Sequence, residues 1–201
     1  MGTVLAMKRL ILLLVLAACA APEPIADPRT FLTRAQLDQT DDPLMLGIIA
    51  SNDAFFSLNP LATNGEVTTW RAPDDITFSF RNGVLVATRG LGQDMMTADM
   101  EATLNALRRP PAGLYQRFQG TLDGQSSIDY RAFQCRVTVR ASEAVTIIER
   151  TVATTRTEET CISPGVEVTN IYWRGADGVM WKSRQWVGSD IGYLETERLV
   201  R

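Results

Sequence analysis

Apolar and polar residues alternate along most of the chain after Leu44. In residues 76–81 each apolar residue is followed by a polar one, and residues 133–140 place Cys135 on an apolar face with Arg136 and Arg140 on the other face. A period of two with one polar face is typical of a half-buried antiparallel strand. The pattern therefore predicts a mainly β fold.

Dipeptides that favour tight turns separate these alternating segments. Asn-Gly and Asp-Gly pairs tolerate the positive φ that two-residue hairpin turns need. Four such pairs occur, at Asn64-Gly65, Asn82-Gly83, Asp123-Gly124 and Asp177-Gly178. They predict successive hairpins, and a further simple turn is expected within Ala141–Ala144.

One segment follows a helical rather than a β period. Its apolar residues are three or four positions apart, at Met96, Met100, Leu104 and Leu107. Thr97 is a suitable cap, and two arginines suit the negative end of the helix dipole before Pro110-Pro111 stops the helix. The spacing predicts one short helix over about 97–109, laid against the sheet, and a second short helix is expected within Thr30–Leu37.

The N-terminal region has a different organisation. Lys8 and Arg9 precede an apolar block from Leu10 to Ala18, which is shorter than the roughly 20 residues that span a bilayer. Basic, apolar and then small residues, in that order, indicate a secretory signal peptide at residues 1–18. The block ends in Leu-Ala-Ala-Cys19, which resembles a bacterial lipobox, in which the cysteine is lipidated. The alternative is an ordinary cleavable signal with an incidental cysteine.

Lipidation would make Cys19 the first residue of the mature protein, held in a membrane by several acyl chains. Residues 19–33, which contain three prolines, are then expected to form a tether. Residues 34–201 are enough for a single β-rich domain with its own core. Met7 opens a signal of more typical length and is therefore an alternative translation start.

The composition excludes several classes of site. The chain has no histidine, which removes Ser-His-Asp catalysis, Cys-His catalysis and histidine-based zinc sites. Its formal charge is −3 at pH 7, and an acidic balance argues against nucleic acid as a partner. No motif indicates a catalytic pair of carboxylates. The sequence predicts no cofactor and no metal.

If Cys19 carries lipid, two cysteines remain, Cys135 and Cys161. In an exported protein such a pair predicts a disulfide, and the alternative is two separate buried thiols. A simple turn within Ala141–Ala144 would place Arg150 opposite Cys135 and leave Cys161 roughly 36 Å further along the strand. Because a disulfide needs Cα atoms within about 7 Å, either the chain bends back, as in a curled sheet, or that hairpin is not simple.

Three later stretches resemble the YjbF/GfcB family of group 4 capsule lipoproteins. They are VLVATRGLGQDMMTADM, VEVTNIYW and KSRQWVGSDIGYL, and they follow the lipobox in this order. The resemblance covers most of the mature chain, from about Glu66 to Leu199. It implies a mainly β domain with an antiparallel, strongly curled or barrel-like sheet.

The resemblance also implies an envelope lipoprotein encoded with exopolysaccharide or capsule genes. Ala20 rather than Asp follows Cys19, which by similarity to other lipoproteins favours the outer membrane of a Gram-negative host. The expected location is therefore the outer membrane, with a lipid anchor and the domain facing the periplasm. The expected partners are a polysaccharide and an outer-membrane export barrel, and no catalytic residue is implied.

An aromatic cluster near the C-terminus is the candidate contact region. Flat aromatic faces stack on sugar rings, and arginine or glutamine beside them bonds hydroxyls. The candidate glycan or partner contacts are Tyr172, Trp173, Arg184, Gln185 and Trp186. The alternative is that the aromatics are cross-strand packing partners, and alternation would place Trp181 and Trp186 on opposite faces of one strand.

Two functions of different class follow. The first is a non-catalytic lipoprotein that assists exopolysaccharide or capsule secretion or assembly at the outer membrane. The second is a polysaccharide-modifying enzyme, a lyase or a hydrolase. A deep cleft with converging tyrosine, arginine and carboxylate groups would favour the enzyme, and a smooth β surface with an apolar or aromatic patch would favour the accessory role.

Overall fold

The computed structural model describes residues 26–122, 125 and 127–201. The helices are α1 (Arg34–Leu37) and α2 (Glu101–Arg108), with short 3-10 helices at Pro28–Thr30 and Pro73–Asp75. The strands are β1 (Leu44–Ile49), β2 (Ala54–Asn64), β3 (Val67–Arg71), β4 (Thr77–Arg81), β5 (Val84–Arg89), β6 (Met95–Asp99), β7 (Tyr115–Leu122), β8 (Ile128–Ile147), β9 (Arg150–Ser163), β10 (Val166–Gly175), β11 (Met180–Gly188) and β12 (Gly192–Val200).

All twelve strands form one antiparallel sheet that curls into a nearly closed barrel. The strand order is β5-β4-β3-β2-β1-β12-β11-β10-β9-β8-β7-β6, so β5 and β6 are the two edges. Side chains join these edges: Met95 N donates to Thr88 Oγ1 at 2.9 Å, and Arg89 donates to the Met95 carbonyl at 3.1 Å. The predicted mainly β, strongly curled sheet is therefore confirmed.

Three of the four predicted turn dipeptides join neighbouring strands. Asn64-Gly65 joins β2 to β3, Asn82-Gly83 joins β4 to β5, and Asp177-Gly178 lies between β10 and β11. Asn82 and Gly83 both have positive φ, 50° and 85°, as the tightest hairpin turns require. The fourth dipeptide, Asp123-Gly124, lies outside the described residues.

The hairpin predicted at Ala141–Ala144 is wrong. Strands β8 and β9 run on past this segment and turn at Ile148-Glu149, whose φ angles are 40° and 64°. Positive φ is costly for an isoleucine, and tertiary contacts hold the turn. The Ile148 side chain is buried in an apolar cluster, and the Glu149 carboxylate accepts the Arg34 backbone N–H at 3.0 Å.

A β-bulge at Thr138 sets the register of this long hairpin. On one side of the bulge Val139 pairs with Glu158, and on the other side Val137 pairs with Glu159. The shift by one residue places Cys135 directly opposite Cys161, and the structure joins them in a disulfide with Cα atoms 4.0 Å apart. The two cysteines thus meet across the hairpin, without the chain bending back between Arg150 and Cys161.

The main predicted helix begins later than expected. Residues from Met95 to Asp99 form β6 and pair with β7, so Thr97 is a strand residue and not a helix cap. Helix α2 starts at Glu101, whose N–H donates to the Asp99 carboxylate at 3.2 Å. Strand pairing at the sheet edge outweighs the helical spacing that Met96 suggested: Met95 is fully buried, whereas Met96 is only partly buried.

Two large apolar clusters lie on the two sides of the curled sheet. The larger cluster takes residues from β1, from both edge strands, from β10–β12 and from α2, which places it inside the curl. The smaller one combines Leu37 of α1 with outward residues of β1 and with Trp173 and Trp181. Among the described residues, no helix has the length and apolar character that crossing a bilayer requires.

The predicted signal peptide and Cys19 lie outside the described residues. The last part of the predicted tether is described and contacts the domain. The guanidinium of Arg29 lies 5.5 Å from the centre of the Phe55 ring and 3.6 Å from the Glu197 carboxylate. Residues from about Asp27 onward therefore lie against the sheet.

Candidate functional site

A cleft of about 370 Å³ opens at one end of the curled sheet. Its wall combines apolar side chains of the interior cluster with polar groups from β3, from β12 and from the β2–β3 and β4–β5 turns. The central pair is Trp70 on β3 and Arg198 on β12. The lining also includes Glu66, Gly178, Met180 and Arg201.

The strand register brings Arg198 to this cleft. Leu194, Thr196 and Arg198 occupy alternate positions on β12. Leu194 is fully buried in the interior cluster, and the buried Thr196 hydroxyl lies 2.8 Å from the Ser183 hydroxyl. This row of side chains therefore faces the interior, and Arg198 is its last member. Arg198 pairs with Met45, which belongs to the same cluster.

Arg198 lacks the partners that a half-buried guanidinium normally has. Its Cζ lies 4.5 Å from the centre of the Trp70 ring, a cation–π contact that uses one face of the arginine. Its Nε is buried without a hydrogen-bond acceptor, and no carboxylate of the described residues lies within 4.0 Å of it. Burial and the nearby Arg201 lower the pKa of Arg198 to about 10, which still leaves the group charged at neutral pH.

The other charges on the cleft wall are neutralised by neighbours. Arg201 lies 3.1 Å from Asp177, and Glu66 lies 2.7 Å from Arg81. Arg198 is therefore the uncompensated charge of the cleft. A guanidinium in this state offers its N–H donors to an anionic or hydroxyl-rich ligand, since carboxylate and phosphate match its planar fork.

A second polar group lies deeper, around the fully buried carboxylate of Glu159 on β9. Five side chains donate to it. Thr103 Oγ1 and Tyr115 OH bond Oε1 at 2.6 and 2.9 Å, and Arg117 Nη1, Asn170 Nδ2 and Tyr172 OH bond Oε2 at 2.9, 3.0 and 3.0 Å. The network ties α2, β7, β9 and β10 together. Because both oxygens are saturated and the ion pair with Arg117 is sealed, it matches a structural core.

Tyrosine, arginine and carboxylate groups converge in this network, as expected of an enzyme, but the Glu159 carboxylate is fully buried rather than exposed in a deep cleft. Burial and the Glu159 charge raise the pKa of Tyr115 and of Tyr172, whereas a tyrosine base needs a lowered pKa. Burial acts to lower the pKa of Arg117, but the charges and hydrogen bonds of Glu159 and Tyr172 together outweigh burial, so that pKa is raised. The raised pKa values keep both tyrosines protonated and Arg117 charged, so none of these three groups is suited to accept a proton from a substrate.

The disulfide lies beside the same carboxylate. The sulfurs of Cys135 and Cys161 and an oxygen of Glu159 lie within 4.8 Å of one another, a grouping that would suit a metal ion if the cysteines were thiolates. Because the sulfurs are bonded to each other, the oxidised protein lacks those ligands. The pair instead packs with Phe133, Val168 and Trp186 in a third apolar cluster.

The five sequence-predicted contact residues do not form one exposed surface. Tyr172 and Gln185 are fully buried; Tyr172 bonds Glu159, and Gln185 bonds the backbone of Gly83 and Leu85. Trp173 and Trp186 are 8% and 7% exposed. Arg184 is partly exposed, with its Cζ 3.4 Å from the Tyr193 ring centre. A direct contact of this set with a glycan or partner stays a prediction.

The tryptophans of β11 belong to separate clusters, and Trp181 lies at a register irregularity between β10 and β11. Trp181 packs with Trp173, and Trp186 packs with the disulfide. Sequence reasoning missed Trp70 and Arg198, which are distant in the chain and meet only when β3 and β12 curl around one interior. The available signal was an arginine that ends the inward row of β12 after Leu194 and Thr196.

Comparisons with known proteins agree with this fold. Residues 14–199 match the family model described as group 4 capsule polysaccharide lipoprotein gfcB, YjbF. The crystal structure of the hypothetical lipoprotein YmcC from Escherichia coli (K12) superposes with a TM-score of 0.72 at 17% identity, covering 85% of this chain and 89% of that one.

A putative lipoprotein from Parabacteroides distasonis ATCC 8503 gives a TM-score of 0.31 at 11% identity, covering 81% of this chain and 95% of that one. No curated protein shows significant sequence similarity to the chain. The family model spans nearly the whole chain, and the chain belongs to the group 4 capsule polysaccharide lipoprotein family.

Proposed function

We propose that this protein is a non-catalytic envelope lipoprotein that assists capsule or exopolysaccharide secretion or assembly by binding an acidic glycan in the Arg198 cleft. The observation that carries the proposal is the uncompensated guanidinium of Arg198, held on Trp70 at the wall of a 370 Å³ cleft. Burying a charge without a partner costs stability. A ligand anion supplies the missing partner.

The cleft has the composition of a carbohydrate site. It offers a fixed cation, an apolar floor that includes Met180, and polar side chains at its edge. Pockets for small ligands combine mostly apolar walls with a few well-placed polar groups. A sugar that carries a carboxylate or phosphate presents an anion for Arg198 and an apolar ring face for the floor.

The location and partners of this role are part of the proposal. A lipid at Cys19 would hold the domain at the outer membrane, facing the periplasm. An outer-membrane export barrel is the partner to which a bound polysaccharide chain would pass. Family membership supports a place in capsule polysaccharide machinery.

A polysaccharide-modifying enzyme is the competing function, and the Glu159 network is the group such an enzyme would use. Its carboxylate is fully buried, and its two oxygens accept five hydrogen bonds from protein side chains, so neither oxygen is free to take a proton from a glycan in this conformation. That seal favours the binding role. Cleavage of the cognate polymer by the purified protein would overturn the proposal.

The cellular test replaces the gene by full-length variants in the organism that carries it. Arg198→Gln should reduce secreted polysaccharide while the amount of membrane-bound protein stays normal. Arg71→Gln is the matched control. Arg71 is exposed at the end of β3, and its replacement also removes one positive charge from the protein. Normal polysaccharide output from Arg198→Gln cells would contradict the proposal.

A further inference from the structure

A second cleft of about 260 Å³ adjoins the first and is lined by three arginines. Arg108 ends α2, Arg140 lies on β8, and Arg174 lies near the end of β10. Gly178 in the β10–β11 turn lines both clefts. Among the described residues, no aspartate or glutamate lines the second cleft.

The fold directs these arginines to one place. Without the bulge at Thr138, the alternation of β8 would place the Arg140 side chain on the outer face of the sheet. With the bulge, Arg140 pairs with Thr157 and its side chain lies on the inner face, where it reaches α2. Arg140 Nη1 donates to the Leu107 carbonyl at 2.8 Å, and Arg174 Nε donates to the Gly178 carbonyl at 3.0 Å. Arg108 Nη1 contacts only its own helix, through Asn105 Oδ1 at 3.4 Å. Most of the donors of all three guanidinium groups remain available.

The cluster is electrostatically incomplete. Within the described ranges, none of the three arginines has a carboxylate within 4.0 Å, whereas most other arginines there do. Burial, together with repulsion from Arg108 and Arg140, lowers the pKa of Arg174. Three like charges in one concave site repel one another, and a bound anion relieves that repulsion.

We propose that the second cleft is a separate subsite for the anionic substituent, a carboxylate or a phosphate, of a polysaccharide chain. Arginine forks bind these groups through paired charge-assisted hydrogen bonds. Hydroxyls of Thr155 and Thr157 on the same wall suit sugar hydroxyls. This inference rests on the proposed glycan-binding function and extends it: a chain that crosses the Gly178 turn presents one acidic group to Arg198 and another to the arginine cluster.

Membrane phosphate is the other source of such an anion, and the geometry favours the glycan. The second cleft is concave. A lipid-binding surface would insert exposed apolar side chains into the membrane, and none of the exposed large apolar side chains of the described residues lines this cleft. A glycan is therefore the favoured source of the anion, and vesicle binding tests the lipid alternative.

The test uses the purified mature chain, with its disulfide intact, and tetragalacturonate as the acidic probe. Isothermal titration calorimetry should show binding that weakens with salt and is lost for the fully methyl-esterified tetramer, which has no charge. The double variant R108Q/R174Q should weaken binding about ten- to a hundredfold, since charge-assisted hydrogen bonds are lost. Arg109→Gln, an exposed neighbour that lines neither cleft, should bind as the wild type does.

The outcomes separate the two proposals. If Arg198→Gln weakens binding and R108Q/R174Q does not, the second subsite is wrong and the proposed function stands. If the wild type binds no probe, both fail. Binding to anionic phospholipid vesicles that R108Q/R174Q abolishes, without glycan binding, would assign the cluster to lipid phosphate and overturn the glycan subsite. Thermal unfolding of each variant, with Arg108→Gln alone as the mildest change, shows that the fold is retained.

Discussion

The guanidinium of Arg198 lies 4.5 Å from the centre of the Trp70 ring, although the two residues are 128 positions apart in the chain. The tryptophan is 4% exposed, so it acts as a fixed platform, and the charged group it supports has no carboxylate partner among the described residues. Such an arrangement costs folding free energy, and a ligand that brings an anion recovers that cost.

The first prediction follows from this cost. Arg198→Met keeps the length and apolar contact of the side chain and removes the charge. The free energy of unfolding should stay the same or rise by up to about 1–2 kcal/mol, as for other replacements of uncompensated buried charge. Urea denaturation of the purified domain measures it. Arg117→Met is the control: it breaks the ion pair with Glu159 and should lose about 3–5 kcal/mol. A comparable loss for Arg198→Met would mean that Arg198 has a structural role.

The second prediction concerns the buried carboxylate. Glu159→Gln leaves the charge of Arg117 unpaired in the interior and should lower the free energy of unfolding by about 3–5 kcal/mol. Glu158→Gln, the partly exposed neighbour that pairs with Arg156, should cost at most about 1 kcal/mol. If Glu159 were instead a catalytic acid, Glu159→Gln would leave the free energy of unfolding unchanged and abolish an enzymatic activity.

The third prediction concerns the disulfide. Cys135 and Cys161 are 26 positions apart and directly opposite in the β8–β9 ladder. Replacing both by alanine should lower the free energy of unfolding by roughly 3–4 kcal/mol in the chain-entropy model. A reducing agent should destabilise the wild type and leave the double variant unaffected. Two free thiols in protein isolated from its native compartment would show that the bond does not form there.

The fourth prediction separates two neighbours of the sequence-predicted contact region. Trp186 is buried against Phe133, with ring centres 5.6 Å apart, and Trp186→Ala should cost about 3–5 kcal/mol. Arg184 lies on the surface of Tyr193 and 3.5 Å from Glu195, so Arg184→Ala should cost at most about 1 kcal/mol. Alternation along the strand alone would have the two variants behave alike. Equal losses would indicate that Arg184 also belongs to the core.

Local chemistry made part of this fold predictable. Asn82-Gly83 supplies the positive φ of a hairpin turn, and the alternation before it gives β4 its buried face. Ile148-Glu149 carries no such signal, because contacts of Ile148 with the outer cluster and of Glu149 with Arg34 hold its turn. The bulge at Thr138 is likewise invisible in the pattern, yet it decides both the disulfide register and the direction of Arg140.

The candidate site was less predictable than the fold. Aromatic density drew attention to residues 172–193, but density of this kind is also what a packed sheet needs. Arg198 and Trp70 each look ordinary in the sequence, and their significance depends on the missing counterion, which only the tertiary structure reveals. The same holds for Arg108, Arg140 and Arg174, which come from three separate elements.

The most direct test of the account is a two-dimensional ¹⁵N NMR titration that follows the indole N–H signals of the four tryptophans, each assigned by a Trp→Phe variant. Tetragalacturonate should shift the Trp70 signal in a saturable manner, and Arg198→Gln should abolish that shift. The signals of Trp173 and Trp186, which line neither the Arg198 cleft nor the second cleft, should not shift. Shifts at Trp173 or Trp186 with Trp70 unmoved would place the contact in the region that the sequence suggested and contradict the Arg198 cleft as the binding site.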